Sequence, residues 1–150
     1  MILSIDPGQT GALVWMGETI IIEDMPITER VSGKGKAVNP FLLNDLIQTY
    51  PVEIAVLERV HAMTGQGVTS VFNFGEGYGV IQGVLAANNI RIEYVTPRVW
   101  KKHCGLIGKD KDAARTFAIS HYPDCSDRLS RKKDIGRADA LCIGHYWKTK

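Results

Sequence analysis

The sequence lacks several features that define broad classes of protein. Its three cysteines, Cys104, Cys125 and Cys142, form no C-x-x-C pair, which argues against a disulfide framework and for a reducing compartment. No apolar run approaches the roughly 20 residues that a membrane span requires. Asp6 stands where a signal peptide needs apolar residues. We therefore expect a cytoplasmic protein.

The sequence also has little excess charge of either sign. Eighteen Lys and Arg residues face sixteen Asp and Glu residues, a net charge of +2, which alone is a weak indication of a nucleic-acid partner. The basic residues nevertheless cluster late in the chain, whereas the acids are dispersed. A length of 150 residues predicts a single domain over residues 1–150.

The N-terminal stretch carries the pattern around which the chain is organised. An apolar run at residues 2–6 ends in Asp6, and a turn rich in Pro and Gly leads to a second apolar run at residues 12–16. A third run occupies residues 19–23. The connections are too short for crossovers, so we expect an antiparallel meander. A carboxylate at the end of a buried strand is costly unless it is neutralised, and a metal ion is the obvious candidate.

A second apolar run ending in an acid follows a predicted helix. Residues 25–38 are expected to form a mobile loop, and Asn39-Pro40 then starts a helix whose apolar face is supplied by Phe41, Leu42, Leu43, Leu46 and Ile47. The run at residues 54–58 ends in Glu58. A helix between these two strands allows parallel pairing through a right-handed crossover. That pairing would bring Asp6 and Glu58 to neighbouring strand ends.

The next predicted helix, at residues 70–88, contains a stripe of glycines. Gly75, Gly79 and Gly83 recur every four residues, and each costs up to about 1 kcal/mol relative to Ala in a helix interior. Such a stripe indicates that another backbone approaches closely. Close packing onto the chain's own sheet and a helix-to-helix dimer contact both remain open at this point.

The C-terminal third supplies a third acid and most of the basic residues. We expect a strand at residues 90–95, a short helix opened by Thr96-Pro97, a break at 104–108, a helix at 109–121 and a basic loop at 122–133. The last helix carries Asp139 among Ala138, Ala140 and Leu141. A salt bridge would explain any one of the three acids, but Asp6, Glu58 and Asp139 together favour a hard divalent cation with oxygen ligands.

Three ordered motifs carry a family resemblance. Ile5-Asp6-Pro7-Gly8, then Leu57-Glu58-Arg59-Val60, then Arg137-Ala138-Asp139-Ala140-Leu141 resemble the RuvC family of Holliday-junction resolvases, its phage and organellar branches in particular. The resemblance implies an α/β, ribonuclease-H-like fold. In this fold a five-stranded mixed sheet, with three antiparallel and two parallel strands, is flanked by helices on both faces.

The resemblance also implies a catalytic metal site. The family uses four acidic or equivalent ligands for two magnesium ions, with manganese a possible substitute, and Asp6, Glu58 and Asp139 match three of them. The fourth position lies three residues before the last Asp, which is Gly136 here, and the nearest acid is Asp134. Asp134 is a candidate fourth ligand only if it precedes the helix or caps it. A plain helix cap is the alternative.

Basic groups are expected to contact DNA around the acids. Lys101 and Lys111 match positions where the resemblance places catalytic lysines near the scissile phosphate. His61 follows Glu58 by three residues, where the bacterial enzymes carry a Phe that pushes against bases. Further backbone contacts are expected from Arg98, Lys102, Lys109, Arg131, Lys132 and Lys133. The densest basic run also includes Arg128 and Arg137, and because it borders the last acid we expect it to face DNA. A solvated basic surface is the alternative for each of them taken alone.

The resemblance implies a homodimer that resolves four-way DNA junctions by paired nicks. Gly75, Gly79 and Gly83 would then lie at the dimer interface. The sequence leaves two alternatives open, namely a ribonuclease-H-like nuclease for other branched DNA or RNA, and a junction-binding module that does not cut. The expected location is the cytoplasm of a bacterium or of a phage-infected host, or else an organelle matrix.

Overall fold

The N-terminal apolar run forms the central strand of a mixed sheet in the computed structural model, which describes all 150 residues. The strands are β1 Ile2–Asp6, β2 Ala12–Met16, β3 Ile20–Asp24, β4 Ile27–Glu29, β5 Lys36–Val38, β6 Ile54–Glu58 and β7 Arg91–Val95. The main sheet has five strands in the order β3-β2-β1-β6-β7. β2 pairs antiparallel with β1 and β3, whereas β6 pairs parallel with β1 and β7. The predicted mixed sheet is confirmed.

Helices cover both faces of this sheet because both faces are apolar. The helices are α1 Pro40–Thr49, α2 Val68–Ala87, α3 Pro97–His103, α4 Ala113–His121 and α5 Ile135–Thr149. Alternate side chains of β1 and β2 feed two separate cores. Leu3, Ile5 and Trp15 pack with α1 and α2 on one face, and Ala12 and Val14 pack with α3, α4 and α5 on the other. None of the helices is long and apolar enough to span a bilayer.

The segment expected to be a mobile loop instead contains a small hairpin. β4 and β5 pair antiparallel, from Ile27 opposite Val38 to Glu29 opposite Lys36. Gly33 and Gly35 have positive φ angles of 74° and 78°, which allow the tight reversal that closes the hairpin. Arg30 of this turn donates a 2.8 Å hydrogen bond to Glu76 of α2. The expectation of a loop was wrong because this long-range contact has no local signature.

The helix ends follow the predicted capping residues in part. The side chain of Asn39 accepts hydrogen bonds from the backbone N–H groups of Phe41 and Leu42, as expected for an N-cap. The predicted apolar face of α1 was partly wrong, since the side chain of Phe41 is 80% exposed and that of Leu42 is 50% exposed. The helix predicted at 109–121 begins only at Ala113, whose N–H donates to Asp110.

The glycine stripe of α2 faces solvent rather than the sheet. A Cβ atom added at Gly75, Gly79 or Gly83 would meet no atom of the chain within 4 Å. The buried face of α2 is formed instead by Ile81 and Leu85. Packing of the stripe onto the chain's own sheet is therefore the wrong alternative.

Candidate metal centre and nuclease site

Asp6, Glu58 and Asp139 come together where two strands and one helix meet. β1 and β6 pair in parallel with Ile5 opposite Leu57, so the residues that follow, Asp6 and Glu58, end neighbouring strands. α5 packs across the same sheet and carries Asp139. The adjacency of Asp6 and Glu58 follows from the strand order, which the alternating β-α-β pattern of the sequence predicted.

Close backbone contacts fix the height of α5 above the sheet. Ser4 of β1 donates a 2.7 Å hydrogen bond to the carbonyl of Ala140. A Cβ at Gly144 would lie 2.2 Å from Sδ of Met16 and 2.7 Å from Oγ of Ser4, so only glycine allows this approach. These two contacts hold α5 against β1 and β2 in the turn that follows Asp139.

The three carboxyl groups are strongly perturbed by burial and by one another. Burial raises the pKa of Asp6 well above its ordinary value, and the charges of Asp139 and Glu58 raise it further. Burial also raises the pKa of Glu58. Burial and the charge of Glu58 raise the pKa of Asp139 to about 7, against the opposing effect of Lys101 and Lys111. The site therefore favours a positive charge.

Burial of these carboxylates and the repulsion between them give a stability prediction for the metal-free protein. The raised pKa of Asp139 means that stability falls as pH rises from its ordinary pKa of 3.8 through about 7. At pH 8 in the presence of a chelator, we expect Asp139→Asn to raise the free energy of unfolding by roughly 1–4 kcal/mol. Urea denaturation at pH 4 and pH 8 measures this, and a gain at pH 4 equal to that at pH 8 would contradict the electrostatic cause.

An open cavity of about 490 Å³ lies over these acids. Asp6 and Asp139 form part of its wall, and so does Thr10 of the β1–β2 turn. Five lysines line it as well, namely Lys101, Lys109, Lys111, Lys132 and Lys133. Acids that repel one another, surrounded by lysines, suit a site where cations and a polyanion meet.

The carboxylates do not yet form a finished coordination shell. No group of three or more His, Cys, Asp or Glu side chains is close enough together to hold a metal ion as it stands. Glu58 is not part of the cavity wall, and its Oε2 accepts a 2.6 Å hydrogen bond from Nε1 of Trp100. The donor set nevertheless fits a hard divalent cation, because it consists of carboxylate oxygens whose mutual repulsion a cation would relieve. That Asp6, Glu58 and Asp139 share metal ions stays a prediction.

Asp134, the candidate fourth ligand, is buried outside the cavity wall. Its side chain is 2% exposed, and its Oδ1 and Oδ2 accept hydrogen bonds from the side chain and backbone N–H of Arg131 at 2.8 Å and 2.9 Å. Nη1 of Arg137 lies 3.5 Å from Oδ1. Burial raises the pKa of Asp134, but the hydrogen bonds from Arg131 outweigh it and leave the pKa below its usual value. Asp134 precedes α5, the condition set for its ligand role.

The structure explains why position 136 carries no acid. A Cβ added to Gly136 would lie 2.1 Å from the carbonyl oxygen of Thr10 and 3.1 Å from Cα of Gly11. The first turn of α5 is therefore packed directly against the backbone of the β1–β2 turn, and no side chain fits between them.

Some of the basic residues line the cavity, some are exposed outside it, and two arginines form hydrogen bonds within the chain. Arg98 and Lys102 are exposed but do not line the cavity. Arg137, expected to face DNA within the basic run, is buried and donates to both oxygens of Asp24 at 2.7 Å and 2.8 Å. Arg128 donates to the carbonyl of Ile22. Arg137 joins the end of β3 to the first turn of α5, and Arg128 joins β3 to the segment before α5, so that part of the basic run is structural.

His61 lies in a second, more apolar cavity. This cavity of about 290 Å³ is formed by the loop after β6 and the first half of α2, with Phe74 and Tyr78 in its wall. The hydroxyl of Tyr78 donates to the backbone carbonyl of Glu58, which links this cavity to the acids. The wedge position predicted for His61 is therefore beside the acidic site, and its role stays a prediction.

Sequence reasoning missed Trp100 as a member of the site. Trp100 is 1% exposed, donates to Glu58 and lines the cavity beside Lys101. The signal was a large aromatic residue in the short helix that follows a predicted strand, directly before a basic residue. Which acid its N–H would reach could not be deduced, because the two residues are 42 positions apart.

The fold is similar to that of RuvC, a Holliday-junction resolvase with a ribonuclease-H-like fold. Two structures of RuvC from Thermus thermophilus match nearly the whole chain at 10% identity. One has a TM-score of 0.59 and covers 98% of this chain and 94% of that chain. The other is a complex with a Holliday junction substrate, with a TM-score of 0.63, covering 98% of this chain and 93% of that chain.

A sequence relative agrees with the fold. The chain is 34% identical over 79 residues to the chloroplastic Holliday junction resolvase MOC1 of Chlamydomonas reinhardtii. The aligned segment spans 52% of this chain and 8% of that protein. No family profile matches the chain. The predicted resemblance to Holliday-junction resolvases is therefore confirmed, by sequence to MOC1 over about half of the chain and by fold to RuvC over almost all of it.

Proposed function

We propose that this chain is a metal-dependent endonuclease that resolves four-way DNA junctions by paired nicking. The observation that carries the proposal is the convergence of Asp6, Glu58 and Asp139 at one edge of the sheet, under a cavity ringed by lysines. Buried acids that raise one another's pKa and face lysines fit metal-assisted phosphodiester hydrolysis. The similarity to RuvC and MOC1 supports a junction as the substrate.

Each group has a distinct role in this proposal. Two Mg²⁺ ions, or Mn²⁺ in their place, would supply positive charge for the attacking and leaving oxygens of the phosphodiester. Asp6, Glu58 and Asp139 would hold these ions. Lys101 and Lys111, which line the cavity, would neutralise the non-bridging oxygens of the scissile phosphate and hold it against the acids.

Asp134 is proposed as the fourth ligand after a rearrangement of Arg131. Its carboxylate stands before α5 near Gly136 and carries a negative charge, but it is held by Arg131. The side chain of Arg131 is 51% exposed, so it is free to swing to a DNA phosphate and release the acid. DNA binding and completion of the metal site would then be coupled.

Asp134→Asn and Arg131→Ala separate this role from a structural one. Both changes remove the ion pair, so both should lower stability, but only Asp134→Asn removes a ligand. We expect Asp134→Asn to lower the cleavage rate by about 10–100-fold more than Arg131→Ala at saturating Mg²⁺. Cleavage assays on one junction, with unfolding curves for both variants, measure this. Equal rates for the two variants would assign Asp134 to structure alone.

DNA would run along the lysine-lined rim and past His61. Lys109, Lys132 and Lys133 line the cavity and would contact backbone phosphates. Arg98 and Lys102 are exposed beyond it and would extend the same path. His61 would contact bases or a phosphate at the crossover. Because these are phosphate contacts, binding should weaken steeply with salt.

A second copy of the chain is the proposed occupant of the exposed face of α2. Gly75, Gly79 and Gly83 form a flat ridge open to solvent, and the side chains of Val68 and Phe72 on the same face are 87% and 69% exposed. A flat glycine ridge admits a second backbone, and the apolar residues beside it would be buried. Two copies joined there would supply one active site for each strand to be cut.

Gly79→Arg tests the dimer. A long charged side chain on the ridge would block close approach, so we expect the variant to sediment as a monomer and to make unpaired nicks. Ser120→Arg is the matched control, because Ser120 is exposed on α4, away from the ridge. Light scattering measures the mass of both. A dimer that persists in Gly79→Arg would refute this interface.

Substrate comparison tests the proposed function. Cleavage with Mg²⁺ should be fastest on a four-way junction, with symmetric nicks, and slower on flaps, RNA–DNA hybrids and linear duplex. Faster cleavage of a hybrid or flap would favour the alternative nuclease. Tight junction binding with no cleavage in Mg²⁺ or Mn²⁺ would favour a module that does not cut.

The proposed site of action is a compartment that holds recombining DNA and free Mg²⁺. This is the cytoplasm of a bacterium or of a phage-infected cell, or an organelle matrix, as the name of the chloroplastic relative suggests.

A further inference from the structure

Trp100 makes the shortest polar contact of any group with the three acids. Its Nε1 donates a hydrogen bond of 2.6 Å to Oε2 of Glu58, and its side chain is almost fully buried. Oε1 of Glu58 accepts no hydrogen bond from the protein. One carboxylate oxygen is therefore fixed, and the other is left available.

The same indole also contacts a lysine of the cavity. Nζ of Lys101 lies over the ring of Trp100, 5.4 Å from its centroid, within the range of a cation–π interaction. The N–H at the edge of the ring thus donates to Glu58, and the face of the ring contacts the charged side chain of Lys101. α3, which carries both residues, packs on α5, and Trp100, Lys101 and Asp139 line the same cavity.

Trp15 makes a useful comparison, because it is equally buried and its Nε1 has no partner. A buried indole N–H without a partner shows that packing alone accounts for one tryptophan of this chain. Packing alone does not account for the aim of the Trp100 N–H at an acid of the cavity. Carboxylates that ligate metals are usually held by such an outer hydrogen bond, which orients them.

We infer that Trp100 is a positioning residue for the metal site. Its indole N–H holds Oε2 of Glu58 so that Oε1 is presented to a divalent cation. Its ring face keeps Lys101 at the cavity, where the scissile phosphate would bind. Loss of the N–H leaves Glu58 buried without a donor and free to turn. This inference rests on the proposed function, since it assumes that Glu58 is a metal ligand.

Trp100→Phe keeps an aromatic ring and removes the donor. We expect the Mg²⁺ concentration for half-maximal cleavage to rise about tenfold or more, with KM for the junction unchanged. Trp15→Phe is the matched control, because it makes the same change in a buried residue whose N–H has no partner. It should lower stability without changing the Mg²⁺ dependence.

Nuclear magnetic resonance of the indole N–H groups gives a readout that does not require cleavage. In wild-type protein without DNA, the Trp100 N–H signal should shift on saturation with Mg²⁺, whereas those of Trp15 and Trp147 stay in place. Glu58→Gln should also move the Trp100 signal, even without metal. This measurement uses the wild-type fold, so it remains decisive if Trp100→Phe does not fold.

The outcomes separate the two levels of the argument. If wild-type protein neither binds a divalent cation nor cuts a junction, the proposed function fails, and with it this inference. If wild-type protein cuts with Mg²⁺, but the Trp100 N–H signal shifts neither on addition of Mg²⁺ nor in Glu58→Gln, only the positioning role is overturned. A Trp100→Phe variant with the Mg²⁺ dependence of Trp15→Phe would overturn it equally.

Discussion

Asp6→Asn and Glu58→Gln are expected to abolish junction cleavage while leaving junction binding intact. Each change replaces a carboxylate of the proposed metal site by a neutral amide of the same shape, where burial raises the pKa of both acids and so favours a nearby cation. Loss of metal-based charge stabilisation costs several kcal/mol of the barrier, or roughly a thousandfold in rate. Nicking of a labelled junction in Mg²⁺, beside a binding assay in Ca²⁺, measures both effects.

Asp45→Asn is a matched control, since Asp45 is an exposed acid of α1 away from the cavity. It should cut at the wild-type rate. Substantial cleavage by Asp6→Asn or Glu58→Gln would refute the assignment of these acids. Loss of junction binding in step with cleavage would point to misfolding, which thermal unfolding of the same samples would detect.

Gly136→Ala is expected to have the largest effect on stability. The added methyl group would meet the carbonyl oxygen of Thr10 at 2.1 Å, and a backbone atom cannot turn aside as the end of a flexible side chain can. Overpacking at such a site costs about 3 kcal/mol or more. Because the same turn follows Asp6, we also expect slower cleavage in whatever protein remains folded. Urea denaturation and the nicking assay measure the two effects.

Gly83→Ala provides the contrast for Gly136→Ala. Its Cβ would meet nothing within 4 Å, so at concentrations below dimerisation Ala should stabilise α2 by up to about 1 kcal/mol through helix propensity. Equal stability of Gly136→Ala and wild-type protein would show that α5 does not sit directly on the β1–β2 turn. The account of why position 136 holds no acid would then be wrong.

Local patterns in the sequence were sufficient to predict the sheet and the adjacent strand ends at Asp6 and Glu58. Apolar runs that end in Asp6 and Glu58 predict strands, and a helix between them predicts parallel pairing with adjacent ends. Asn39-Pro40 predicts a helix start by the same local logic. These features depend on residues that are near one another in sequence, so they could be read before any packing was known.

What could not be predicted depends on contacts between distant segments. The hairpin at residues 27–38 is held by Arg30 and Glu76, which are 46 positions apart. Arg137 resembled a DNA-binding residue until its contact with Asp24 across 113 positions was known. The partner of Trp100 likewise follows from packing alone, because Glu58 is 42 positions away.

A manganese-bound crystal structure measures the central claim most directly. The account predicts anomalous peaks in the cavity over β1 and β6, about 2.0–2.3 Å from oxygens of Asp6, Glu58 and Asp139. It also predicts that Oε1 of Glu58 ligates the ion while Oε2 stays on Trp100. Anomalous peaks elsewhere, or no ion bound by these three acids in a crystal soaked at saturating Mn²⁺, would contradict the account.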